Sequence, residues 1–403
     1  MLKSTGNIVH YYGFDVCDVE CDEKFIVLSE DALMEAYPRC RDEFGHIDVN
    51  EKLDNPEGVE YLERMWTLET GYQLRKHYSP GDFFFWMLPI SGQRFLYEEL
   101  KDLPVQHIEP GIGYIGAYLP YKVFQSSYIR NFHYGNYHAN NNWYKILEEK
   151  NQKQRPHGSH YMHTYFDWED TASFSSRDAV IPNSYDLGLF DFRIEKKNSL
   201  LYLGRVLKGK GVAEAVEVAE RLGMKLIVAG PGDFELAVGK KPSKNIEVLG
   251  PVGPDKRRDL LSHAFALLSL SHVDETFGGA AIEILLSGGP PIVANTGGFL
   301  DTIQSGYNGY RVDFRKVDQA VEAVENVDKL DPYILRDAGL RFSREQGALR
   351  HNEYLQNISR ELQGWDRVTL TYPDCEYYRH EIKWPEGWMT PVDKKEHESD
   401  KNS

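Results

Sequence analysis

Glu275 and Glu283 lie eight residues apart around Phe277-Gly278-Gly279, in the run Asp274-Glu275-Thr276-Phe277-Gly278-Gly279-Ala280-Ala281-Ile282-Glu283. The glycines followed by apolar, helix-compatible residues predict a tight turn that opens a helix. Backbone N–H groups at such a start can approach a phosphate, and the helix dipole favours an anion there. Glu283, just over a turn into the helix, points into the same crevice, where its two oxygens can accept from both hydroxyls of a ribose. Glu275 stays on the loop before the helix, on the far side of the phosphates. Taken alone, two acids at this spacing usually read as solvated surface residues. The flanking motifs favour the site.

Upstream runs Ser199-Leu200-Leu201-Tyr202-Leu203-Gly204-Arg205-Val206-Leu207-Lys208-Gly209-Lys210-Gly211, followed by Val212, Ala215, Val216 and Ala219. Leu200 to Leu203 predict a buried strand, and the later spacing predicts an amphipathic helix. Arg205 and Lys210 flank the glycine-containing turn between them, at the carboxyl end of the strand, where open α/β sheets bind ligands. Two cations there can neutralise a diphosphate, and the Arg can do so with two parallel hydrogen bonds. A basic turn without a ligand is the alternative. Downstream, Glu283 leads through Ser287-Gly288-Gly289-Pro290-Pro291-Ile292-Val293-Ala294 to Thr296-Gly297-Gly298. This predicts a helix end, a Pro-bearing turn and a short strand. Gly306-Tyr307-Asn308-Gly309-Tyr310 predicts a further tight turn.

A chain of 403 residues with 41% hydrophobic and 27% charged residues suits two globular domains, each able to bury a core. No apolar run approaches the ~20 residues that cross a bilayer, and no charged-then-apolar leader opens the sequence. A cytoplasmic protein is expected. Cys17, Cys21, Cys40 and Cys375 form no CxxC pair and read as reduced thiols. The net charge of −16 argues against a broad nucleic-acid surface, so no stable nucleic-acid binding is expected.

In order, Gly204-Arg205-x4-Lys210-Gly211, Gly230-Pro231-Gly232, Val248-Leu249-Gly250, Glu275-x7-Glu283 and Gly297-Gly298 resemble the donor half of retaining family-4 glycosyltransferases of the GT-B fold. The resemblance spans about Ala179 to Tyr354. It implies an α/β architecture of two Rossmann-like domains facing across a cleft. An acceptor-side domain would occupy 1–183 and a nucleotide-sugar donor domain 184–342. A closing helix and extension over 343–391 would pack back on the first domain, with a disordered tail over 392–403. The family's roles fall on Arg205 and Lys210 for the diphosphate, Glu275 for the donor sugar and Glu283 for the ribose. Gly204, Phe277, Gly278 and Gly279 would shape the phosphate loop, and Val248 and Gly250 would border the base.

The first half is less regular. Phe25 to Ser29 and Asp82 to Leu88 predict strands, and Glu57 to His77 has helical spacing. Val105 to Tyr114 predicts a strand running into a glycine-rich turn, where family-4 enzymes often carry a histidine facing the donor sugar. Glu109 takes that place here, so Glu109, Gly111, Gly113 and Tyr114 are candidate sugar or acceptor contacts. A structural acid capping the turn is the alternative for Glu109. Residues 124–174 interleave His133, His138, His157, His160 and His163 with tyrosines and tryptophans. They suggest either an acceptor surface that stacks on rings or an aromatic insertion packing on the first domain. The spacing of His157, His160 and His163 hints at a metal, but no Cys or paired acids complete a shell, so none is expected. Gly6 to Gly13 resembles the second strand of a family-4 first domain. The domain therefore either starts before Met1 or lacks its opening strand, whose neighbours would then need another cover.

The resemblance implies sugar transfer from a nucleotide-diphosphate sugar, a UDP-sugar being the expected co-substrate, with no further cofactor and no metal. Configuration would be retained, and the acceptor would be a glycan, a glycolipid or a small molecule. A nucleotide-sugar epimerase, an inactive nucleotide-sugar-binding protein and a transferase acting on a modified DNA base are the alternatives.

Overall fold

A computed structural model of the chain describes residues 1–15, 17–31, 56–86, 96–114, 117, 119–135 and 177–362. The chain forms two compact units, 1–355 and 356–403; the described residues of the second belong to the end of one helix. Residues 136–174 of the aromatic-rich stretch, with His138, His157, His160 and His163, lie outside the described residues. So do Cys40, Cys375, the extension after Leu362 and the tail.

In the first half of unit 1, β1 (His10–Phe14) pairs in parallel with β2 (Glu23–Leu28). A separate parallel sheet runs in the order β3 (Phe83–Phe85), β4 (Gln106–Ile112), β5 (Tyr121–Phe124), β6 (Ala179–Val180). Among the described residues no ladder joins β1 to β3, and side chains cover part of the gap between them. Tyr12 of β1 stacks on Phe25 at 4.7 Å and packs against the cluster of Leu74, Trp86, Leu96, Leu100 and Leu119. The helix Pro56–His77 closes over β2, with His77 against Phe25 at 4.3 Å.

Polar groups are buried in this half. Lys122, in the wholly buried β5, places Nζ 3.8 Å from Asp178, whose other oxygen accepts from the Tyr134 hydroxyl at 2.7 Å. Burial pushes the Lys122 amine down, opposed by the charges of Asp178 and Glu109. His107 of β4 stacks on Trp86 at 5.5 Å and accepts at Nδ1 from its indole N–H at 3.1 Å.

The second half is one six-stranded parallel sheet of β7 (Ser199–Leu203), β8 (Lys225–Ala229), β9 (Ile246–Gly250), β10 (Ala266–Ser269), β11 (Pro291–Ala294) and β12 (Tyr310–Val312). Its spatial order is β12-β11-β10-β7-β8-β9. The unbroken apolar runs of β7, β10 and β11 follow from cover on both faces. The helix Val212–Leu222 turns Val212, Ala215, Val216 and Ala219 inward, as its spacing predicted. The helix Gly279–Leu286 buries Ala281, Ile282, Ile284, Leu285 and Leu286 and carries Glu283 on its remaining face, and the helix Pro332–Leu340 brings Gly339 against its Leu286 amide. From the helix Arg344–Leu362, Tyr354 donates to the Arg177 carbonyl at 2.9 Å, and Asn352 accepts from Asn7 at 3.2 Å. This helix thus contacts the first half through Asn352 and Tyr354.

Burial pushes the imidazoles of His107 and His133 down to about 4, with the Lys122 charge adding at His133. The folded chain therefore holds them neutral, while the unfolded chain protonates them near pH 6.5. Their contribution to stability is complete above that pH and is lost as the pH falls towards 4. The urea midpoint should fall between pH 7 and pH 5. His107→Gln, which keeps an acceptor for Trp86, should show a shallower fall; an unchanged slope would remove His107 from the account.

Candidate functional site

The order of the second sheet fixes where a ligand can enter. After β7 the chain adds β8 and β9 on one side, then crosses to add β10, β11 and β12 on the other. The loops leaving neighbours β7 and β10 therefore diverge at their carboxyl ends, which opens a crevice at the switch point. These are the loops that carry Arg205, Lys210 and Glu275.

They are stitched together. The His272 N–H donates to the Gly209 carbonyl at 2.9 Å, and Lys210 Nζ donates to Glu275 Oε1 at 2.7 Å. The ion pair is only partly exposed, so it is screened less than a surface pair. Arg205 is exposed at the other end of its turn. Beneath the turn, the buried Tyr202 donates its hydroxyl to the Arg205 carbonyl at 2.7 Å and contacts the Lys210 carbonyl at 3.3 Å, which holds both ends of the basic turn. Burial, with the Glu275 carboxylate nearby, pushes this phenol up, so it stays a donor. Gly204 lies against Gly230, which opens the next loop, and the Gly230 N–H donates to the Gly250 carbonyl at 2.8 Å. That contact sets the end of β9, where Val248 is exposed.

The loop of Glu275 is shaped by backbone contact. A β-carbon on Gly297 would fall 2.5 Å from the Glu275 oxygen, and one on Gly298 would fall 2.5 Å from the Thr276 oxygen. Gly298 N–H donates to the Glu275 carbonyl at 2.6 Å. Phe277 turns inward against Phe342 with ring centroids 5.8 Å apart, and Gly278, at φ 82°, caps the helix that begins at Gly279. The orphan amides of the first turn therefore open beside Glu275.

Glu283 follows on that helix and is nearly enclosed. Burial pushes its carboxyl up, and the Arg257 guanidinium beside it pulls back down. Arg257 donates from Nε at 2.8 Å and from a terminal nitrogen at 2.6 Å, both to Oε2. Among the described residues no hydrogen bond is made to Oε1, which leaves it available to a hydroxyl donor.

On the first half, Glu109 is fully buried and accepts from the Tyr114 hydroxyl at 2.7 Å and the Leu119 N–H at 3.0 Å. It braces the turn through Gly111, at φ 65°, to Gly113 and Tyr114. Facing contacts come from the segment after β5. Ser126 donates to the Thr276 carbonyl at 2.5 Å, and Tyr128 donates to Asp274 at 2.5 Å. The structure thus brings Arg205, Lys210 and Glu275 to one crevice, and adds Tyr202, Arg257, Asp274 and Tyr128. The sequence alone assigns none of those four a role: Tyr128 and Asp274 stand 146 residues apart and Arg257 stands 26 residues from Glu283, while Tyr202, close to its partners in the chain, sits inside an apolar run. Among the described residues no group of three or more His, Cys, Asp or Glu is arranged to hold a metal ion.

Residues 190–336 match the family model described as glycosyl transferases group 1. An uncharacterized glycosyltransferase of Methanocaldococcus jannaschii is 26% identical over 191 residues, which is 43% of this chain and 43% of that protein. The chain therefore spans less than half the length of that relative. Among solved structures, HepE of Anabaena in complex with UDP-glucose superposes with a TM-score of 0.53 at 12% identity, covering 86% of this chain and 99% of that one. Sucrose-phosphate synthase from Thermosynechococcus elongatus gives 0.52 at 16% identity, covering 89% and 90%. The fold is GT-B. Two Rossmann-like domains are consistent with the parallel sheets, the β1-β2 pair and the four-stranded sheet lying in the first half and the six-stranded sheet, with the crevice at β7 and β10, in the second.

The Arg257–Glu283 pair can be measured directly. In a double-mutant cycle of Arg257→Met with Glu283→Gln, each single change should destabilise by more than its share of the double. The coupling should be ~0.5–3 kcal/mol, as for residues in contact. Additive effects on the urea midpoint would mean that the pair contributes nothing.

Proposed function

We propose that the chain is a glycosyltransferase that moves a sugar from a nucleoside-diphosphate donor to an acceptor hydroxyl with retention of configuration. The observation that carries this reading is the Lys210–Glu275 pair at the switch point, beside the amides opening at Gly278. A cation for phosphate, a carboxylate for sugar hydroxyls and a helix start for an anion stand within one crevice. The matched family stretch spans all of them, and the UDP-glucose in the HepE complex supports a UDP-sugar as donor.

In this reading Arg205, Lys210 and the amides near Gly278 and Gly279 bind the diphosphate. Glu283 Oε1 takes the ribose hydroxyls, Val248 and Gly250 border the base, and Glu275 holds the donor sugar. The bond between the anomeric carbon and the β-phosphate oxygen breaks as negative charge builds on the diphosphate. The two cations and the preorganised amides stabilise that charge, so the step calls for no metal. The acceptor oxygen bonds to the same face of the anomeric carbon, and its proton passes to the departing phosphate oxygen. The turn from Glu109 to Tyr114 lies on the acceptor side, with Gly111, Gly113 and Tyr114 available to a glycan, a glycolipid or a small molecule.

The first experiment is thermal stabilisation of the intact chain by UDP, GDP, ADP and CMP and their sugar conjugates, with EDTA present. Ligand at a hundred times its dissociation constant adds ~2.7 kcal/mol, so one nucleotide series should raise the melting temperature and the others should not. No rise with any of them would overturn the reading. Lys210→Ala should lower turnover more than tenfold, since a lost transition-state contact costs ~2.7–4 kcal/mol; unchanged kinetics would remove its role. Glu283→Ala should weaken binding of the nucleoside diphosphate itself, and equal affinity would return Glu283 to a structural part.

A further inference from the structure

Glu275 is held from two directions. Its own loop is set by Gly297 and Gly298, but both of its chain neighbours are gripped by the first half of the unit. Asp274 accepts the Tyr128 hydroxyl on one carboxylate oxygen and the Thr296 hydroxyl on the other. Thr276 gives its carbonyl to Ser126 Oγ at 2.5 Å, and its hydroxyl reaches Gln125 at 3.4 Å. Gln125 is in turn anchored to the Gly111 carbonyl at 2.7 Å.

The gripping segment is the start of the helix over 127–135. Ser126 caps it, accepting the Ile129 N–H at 3.2 Å while its own proton goes to Thr276. The next free amide, at Ser127, donates to the Asp301 carboxylate of the second half. Two acids, Asp274 and Asp301, thus stand at the positive end of this helix, the favourable sense for its dipole. Burial and the Asp274 bond push the Tyr128 phenol up to about 12, so it remains a donor throughout the neutral range.

We propose that Tyr128 and Asp274 are positioning residues for Glu275: with Ser126, they bracket its loop so that the carboxylate faces the crevice only while the first half is seated on the second. The bracket rests on the reading of Glu275 as the donor-sugar contact. Neither residue touches the reacting atoms. Tyr128 acts through Asp274, and Asp274 through the loop that it joins to Thr296. The consequence is selective: nucleotide binding is shared with Arg205, Lys210 and Glu283, which stand outside the bracket, whereas the sugar-directed step rests on Glu275 within it.

Tyr128→Phe removes one hydroxyl and keeps the ring against Phe132 at 6.1 Å. Asp274→Asn keeps the shape and weakens the acceptor. The test combines hydrogen exchange of amides 274–279 in the intact chain with kinetics on the nucleotide sugar that binds. Both variants should raise exchange over 274–279 about three- to tenfold, the range for one lost hydrogen bond. Turnover should fall by about the same factor, with the dissociation constant for the nucleoside diphosphate changed less than about twofold. Unchanged exchange, or equal losses in binding and turnover, would overturn the bracket. Exchange reads the bracket whether or not any sugar is transferred. A parent chain that binds no nucleotide would overturn the transferase reading and leave the bracket to be judged on exchange alone.

Discussion

The parallel pairing of β7 with β10 is the constraint on which the rest of the site depends. Parallel strands need long crossovers, and a chain that winds first one way and then the other must leave a seam where the two directions part. At that seam the loops of two neighbouring strands end side by side although some sixty residues separate them. The Lys210–Glu275 pair, the Gly209–His272 bond and the helix start at Gly278 are all consequences of that adjacency. Were β10 placed elsewhere in the sheet, the same motifs would lie on separate faces and hold nothing in common.

What the sequence disclosed follows from this geometry. Short apolar runs bounded by glycines mark buried parallel strands, because only glycine permits the close loop contacts at their ends. Leu200 to Leu203, the helix after Gly211 and the strand ending at Ala294 were legible on those grounds. Arg257 was not, since it stands among the charged residues of Pro254–His263, where nothing distinguishes a guanidinium that turns inward from one in solvent. Tyr128 and Asp274 were hidden for the same reason, with a partner 146 residues away. Tyr202 sat within an apolar run that reads as core, and its hydroxyl acquires meaning only once the basic turn is folded over it.

The first half shows where periodicity fails. Its β3 is three residues long and all aromatic, and β5 is buried on both faces yet carries Lys122. Neither an alternating pattern nor an unbroken aliphatic run results. A buried lysine is tolerable because Asp178 stands beside it and Glu109 adds to the field. Glu109 itself was noticed from its place at the end of a strand. The structure adds what position alone withheld, that its oxygens accept from Tyr114 and Leu119.

Where Gly297 and Gly298 meet the Glu275 loop, main chain touches main chain and no side chain intervenes. A contact of that kind has no adjustable part. Any larger residue pushes the loop aside, and no smaller one exists, so this wall of the crevice is fixed in shape for as long as the fold persists. Residues 125–128 on the opposite side present hydroxyls, an amide and a ring, each of which can be lengthened, shortened or exchanged. If such a crevice is ever retuned to a different occupant, the freedom to do so lies across the gap, in the half of the molecule that carries none of the signature motifs.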